Sequence, residues 1–113
     1  MRRDRQYLVD ILEAASSIRA FLPVTREDFV GNDLVRSAIL HKLTVIGEAA
    51  ARLSNEVRTQ HPEVPWAELA GFRNIAVHAY FSIDWGMVWT SATDEVPELE
   101  RQVRTVLDSL EGG

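Results

Sequence analysis

Between Trp85 and Leu110 the apolar residues Trp85, Trp89, Ala92, Val96, Leu99, Val103, Val106 and Leu110 follow one another at steps of four and three. Such steps return to one side of a helix, whereas a strand needs steps of two. A second stripe, Leu8, Ile11, Ala15, Ile18 and Leu22, repeats the pattern near the start. Each stripe has to be buried against another helix, because a helix hides its apolar side only by packing. No alternating strand pattern, repeat, linker or low-complexity stretch interrupts them. The expected fold is therefore all-α, an up-and-down bundle of four to five helices forming one domain over residues 1–113. With 113 residues, 46% of them hydrophobic, the chain can build such a core without covalent staples.

Breakers and caps set the expected boundaries. The first helix runs from about Asp4 to Leu22 and stops at Pro23. Thr25 opens a short turn in which Phe29 and Val30 plug a gap, and Gly31 ends it. A long helix starts at Asn32 or Asp33 and continues to about Gln60, with Val35, Ala38, Ile39, Ile46, Ala49, Leu53 and Val57 buried. Gly47 in its middle costs about 1 kcal/mol against Ala, which close approach of another helix would explain. After the connector His61-Pro62-Glu63-Val64-Pro65, a third helix holds Trp66 to about Tyr80, with a kink at Gly71. Ser82 or Asp84 caps the last helix, and Pro97 predicts a kink or break near Asp94 to Pro97.

Several function classes are excluded or disfavoured. The absence of cysteine removes disulfides, thiolate metal ligands and a cysteine nucleophile, and fits a cytoplasmic location. No apolar run of about 18 residues exists, so no membrane span is expected. The basic start Met1-Arg2-Arg3-Asp4-Arg5 leads into a segment carrying Asp10, Glu13 and Arg19, which reads as a helix and not an export signal. A net charge of −5 disfavours broad non-specific nucleic-acid binding. The local clusters Arg2, Arg3, Arg5 and Arg52, Arg58, His61 read as solvated faces, as do the scattered Asp and Glu. His41, His61 and His78 have no partner at metal-ligand spacing; the first two read as surface, and no metal or other cofactor is expected. Phosphate loops and nucleophile elbows are absent.

Arg73-Asn74-Ile75-Ala76-Val77-His78-Ala79-Tyr80 differs from the rest by placing Arg, Asn, His and Tyr within two turns. On a continuous helix Asn74 and His78 share a face, and Arg73 and His78 lie about 140° apart. Arg is a permanent cation whose donor fork fits phosphate, and His moves protons near neutral pH. Together they suit RNA cleavage: a base takes the ribose 2′-hydroxyl proton, the oxygen attacks phosphorus, and the cation steadies the phosphate. One His per chain serves poorly as both base and acid, so this chemistry predicts a composite site at a two-fold dimer interface. Spacing alone equally fits a hydrogen-bonded interface without catalysis. Glu48, next to Gly47, is a supporting candidate whose other reading is a solvated carboxylate.

These residues resemble the HEPN superfamily, and within it the HepT-type toxins of toxin–antitoxin pairs. The HEPN motif is Arg, a polar residue, a short variable run and His, met by Arg73-Asn74 through His78. The HepT form, Arg-x4-His-x-Tyr, is met by Arg73, His78 and Tyr80. Asp10-Ile11-Leu12-Glu13-Ala14, Ile46-Gly47-Glu48-Ala49-Ala50, Pro65-Trp66 and Ala70-Gly71-Phe72 also resemble family segments, as do Asp84 and Val88-Trp89. The resemblance implies a metal-independent ribonuclease toxin acting on RNA as a homodimer or higher homo-oligomer, with catalytic Arg73 and His78 and supporting Asn74 and Glu48. It further implies an MntA-like nucleotidyltransferase antitoxin that transfers AMP to Tyr80. The alternative is a non-catalytic HEPN module that binds a nucleotide or a protein partner, or a plain dimerisation domain.

Overall fold

A computed structural model of the chain describes residues 2–23, 25–74 and 83–112. Among the described residues the regular structure is helical throughout: α1 (Arg2–Phe21), α2 (Arg26–Val30), α3 (Asp33–Arg52), α4 (Asn55–Gln60), α5 (Trp66–Gly71), α6 (Trp85–Thr90) and α7 (Val96–Gly112). The bundle is built on α1, which packs along both α3 and α7, while α5 packs against α3. The two stripes meet as expected. Leu8, Ile11, Ala15 and Ile18 of α1 are fully buried, as are Val103 and Val106 of α7. Each such large aliphatic side chain contributes roughly 1.5–3 kcal/mol. On α3, Leu40 and Leu43 join Ile39 and Ile46 in the core. The buried face departs from the expected stripe: α1 and α5 both pack on α3, while Val35 and Ala38, expected in the core, are half-buried.

The expected caps form. Thr25 Oγ1 accepts from the Asp28 amide, the Asn32 side chain from Val35, and the Asp84 carboxylate from Gly86 and Met87. Phe29 fills the gap beneath α2, with its ring 6.2 Å from Trp85 and 5.5 Å from Trp89. Val30, expected beside it, is instead exposed. A five-residue helix has one inward side, and Phe29 occupies it.

The course of the long helix is corrected. The long helix does not run unbroken to Gln60: it ends at Arg52 and restarts at Asn55. The cause is Asp4, buried at 4% exposure, whose carboxylate accepts from the Ser54 amide at 2.8 Å and the Ser54 hydroxyl at 2.7 Å. Ser54 Oγ in turn accepts from the Val57 amide, so it caps α4 instead of continuing α3. Near Pro97 the expected irregularity in the helix is present. Ser91–Glu95 form a π turn in which the Val96 amide reaches back to the Ser91 carbonyl, and Pro97 falls in the first turn of α7. The wider turn absorbs the missing proline donor and its ring.

Candidate functional site

The first residues of the Arg73 segment are positioned by α5 before them and by α3 beside them. Upstream, Trp66 is buried, and its indole nitrogen donates to the His61 carbonyl at 2.9 Å. This fixes the start of α5, while Leu69 turns into the core one turn later. His61, expected at the surface, is mostly covered, its side chain 16% exposed and its Nδ1 3.5 Å from Glu63. His41 is exposed, as expected.

Downstream, the α-helical part ends at Gly71, and Phe72–Asn74 tighten into a 3-10 turn. The expected α-helix through Tyr80 is therefore corrected at its first motif residues. A 3-10 turn advances about 120° per residue, so the angles of a continuous α-helix do not apply at Arg73. His78 and Tyr80 lie outside the described residues.

Gly47 holds this turn against α3. A Cβ at position 47 would stand 2.5 Å from the Arg73 amide nitrogen, 3.0 Å from the Leu69 carbonyl oxygen and 3.2 Å from the Phe72 carbonyl carbon. The backbone of Arg73 thus rests directly on the backbone of α3, which only a glycine permits. The close approach was readable from Gly47. Its partner was not, since nothing local links residue 47 to the distant Arg73.

Arg73 and Asn74 are both exposed. The result is a guanidinium presented to solvent from a main chain fixed beneath it, the arrangement needed to receive a phosphate without first ordering the backbone. Glu48 follows Gly47 but turns to another side of α3. It lines a shallow groove of about 370 Å³ with Tyr7, Asp10, His41 and Arg52, and its Oε2 lies 3.6 Å from Arg52. The structure thus brings Arg73 and Asn74 together on one turn and puts Glu48 in a different groove. Among the described residues, no three His, Asp or Glu side chains converge as metal ligands, and no helix is long and apolar enough to cross a membrane.

Residues 11–106 match the model of the HepT-like family, described as "Ribonuclease HepT-like". A Methanocaldococcus jannaschii protein named "Putative RNase MJ1380" is 36% identical over 107 residues, covering 93% of this chain and 98% of that protein. "Putative RNase TTE0752" of Caldanaerobacter subterraneus is 38% identical, over 95% of this chain and 96% of its own length. "Probable ribonuclease HepT" of Thermococcus cleftensis is 35% identical, over 88% and 91% respectively. No solved structure gives a significant match. With the family model spanning most of its length and full-length relatives above 30% identity, the chain belongs to the HepT-like ribonuclease family.

Proposed function

We propose that the protein is a metal-independent ribonuclease toxin of a toxin–antitoxin pair, cutting RNA at a site shared between two copies. The observation that carries this reading is Arg73, an exposed cation on a turn held by the Gly47 contact, in a chain of a ribonuclease family. Arg73 binds the scissile phosphate and offsets charge as the phosphorus becomes five-coordinate. His78 of one copy takes the 2′-hydroxyl proton, the 2′-oxygen bonds to phosphorus, and the bond to the 5′-oxygen breaks. That leaving oxygen takes a proton from the partner subunit's His78. Asn74 orients the RNA backbone or the imidazole, and Glu48, turned into a separate groove beside Arg52, has no part in this copy's site. An MntA-like nucleotidyltransferase silences the toxin by moving AMP from ATP to Tyr80: the phenol oxygen gives up its proton and bonds to the α-phosphorus, and the bond to pyrophosphate breaks. The added phosphodiester brings bulk and negative charge to the segment that carries Arg73, against incoming RNA.

The test is incubation with RNA in EDTA. Cleavage should persist, and His78→Ala should lower it by roughly 10²-fold or more, the usual worth of a positioned proton shuttle. Mg²⁺-dependent cleavage, or undiminished cleavage by His78→Ala, would remove this chemistry. RNA binding without cleavage would leave a non-catalytic module. For the modification, wild type incubated with ATP, Mg²⁺ and the nucleotidyltransferase should gain AMP mass and lose activity in step. Tyr80→Phe should gain none; an equal gain would place the acceptor elsewhere.

A further inference from the structure

A groove of about 440 Å³ runs between α5 and the start of α7. Its floor is apolar: Leu69, Val96 and Leu99 are buried beneath it, and Pro65 and Phe72 form one wall. Its rim carries Glu63, Glu68, Asp94, Glu95 and Glu98, and among the described residues no Lys or Arg lines it. All five are exposed. Glu98 is paired with Arg101, and Glu63 faces His61. Among the described residues no cation stands within ion-pair distance of Glu68, Asp94 or Glu95. Without these five carboxylates the chain's acidic and basic residues would balance at 12 each, so the rim accounts for the whole net charge of −5.

We infer that this groove docks a basic amphipathic segment of a protein partner, apolar side chains on the floor and Lys or Arg at the rim. Two features select that occupant. An apolar floor rewards burial of aliphatic side chains, as where a helix lies in a groove. An acidic rim attracts cations and repels nucleic-acid phosphates, which separates this surface from any RNA path. A second copy of the chain fits poorly. Its two basic clusters are occupied: in the first turn of α1 Asp4 is committed to Ser54, Arg5 to Glu111 and the apolar face to the core, while Arg52 pairs with Glu48 and Arg58 bonds to Asn55. The location gives the docking a consequence, because Leu69 and Phe72 belong to the same α5 and 3-10 segment that carries Arg73. A segment in the groove would rest on Leu69 and Phe72, next to Arg73 in the chain. This inference does not depend on the proposed catalysis.

The probe is a synthetic 14-residue helical peptide of Leu and Lys with Leu at i, i+3, i+4 and i+7, compared with a scrambled peptide of the same composition. Fluorescence anisotropy should show the patterned peptide binding about tenfold or more tighter than the scrambled one. Its amide shifts on the labelled protein should cluster at residues 63–72 and 94–102. Glu68→Lys with Glu95→Lys should weaken binding about tenfold, while the equal charge change Glu13→Lys with Glu56→Lys stays within about twofold. Equal binding of both peptides, equal loss in both double variants, or shifts on another face would overturn the proposal. So would an RNA oligonucleotide that moves the groove amides, or binding that tracks self-association of the protein.

Discussion

Two turns in this bundle are fixed by contacts from a distant helix, and by opposite means. At Ser54 the turn between α3 and α4 is gripped by a buried carboxylate, Asp4 of α1, through two charge-assisted hydrogen bonds. At Arg73 the turn after α5 is held by the absence of a side chain, Gly47 of α3, with no bond to the glycine. The first contact holds strongly but serves only the interior. The second contributes little binding of its own but decides where an exposed guanidinium stands. Damage at Ser54 should appear in stability, and damage at Arg73 in activity.

The largest effect expected is on the first turn. Asp4→Ala strips the Ser54 amide and hydroxyl of their acceptor, and each hydrogen bond to a charged group is worth about 1.5–3 kcal/mol. A loss of roughly 2–4 kcal/mol is expected by urea unfolding, with cleavage per folded molecule unchanged. If cleavage fell instead while stability held, the division between a structural turn and a functional one would collapse.

A smaller effect, of the opposite kind, is expected at the second turn. Gly47→Ala puts a methyl carbon 2.5 Å from the Arg73 amide nitrogen, so the turn must move outward. Ala is the better helix former, by about 1 kcal/mol, which offsets part of the strain, so the fold should survive. RNA cleavage should fall roughly tenfold, because misplacing a charged group by even a fraction of an ångström weakens what it does in the transition state. The discriminating measurement is a cycle with Arg73→Ala. In that background Gly47→Ala should have little further effect on cleavage, since the group it displaces is gone. Full additivity would make Gly47 a packing residue only. An Arg73→Ala variant as active as wild type would remove Arg73 from the proposed mechanism and leave the packing intact.

This contrast also marks how far the sequence could be read. Stripes at steps of three and four are local, and Leu8, Ile11, Ala15 and Ile18, like Val96, Leu99, Val103 and Val106, lie where their spacing put them. Caps are local too, and Thr25, Asn32 and Asp84 were legible for that reason. The break at Ser54 was not, because the bond that makes it comes from Asp4, 50 residues away. Arg73 and Asn74 stood out by residue type and by their resemblance to a motif. The 3-10 turn beneath them depends on α3 and left no mark in their own spacing. The acidic rim is the extreme case. Glu63, Glu68, Asp94, Glu95 and Glu98 look like ordinary solvated faces until α5 and α7 bring them together.

The smallest effect sharpens the role of Gly47 by testing another helical glycine in the same packing unit. Gly71 closes α5 two residues before Arg73, yet a Cβ built there meets nothing within 4 Å. No glycine in the described chain has a positive φ, so Ala fits the backbone at this position without strain. The substitution then acts mainly on the unfolded chain, which loses freedom when a glycine is replaced. Gly71→Ala should therefore raise stability by about 0.4–1 kcal/mol and leave RNA cleavage unchanged. Thermal unfolding and a cleavage assay on the same preparation measure both. If Gly71→Ala cut cleavage as deeply as Gly47→Ala, flexibility near Arg73 would matter more than the space above α3. If it stabilised the protein and left cleavage alone, the two glycines would separate as the geometry requires, one needed for room and the other replaceable.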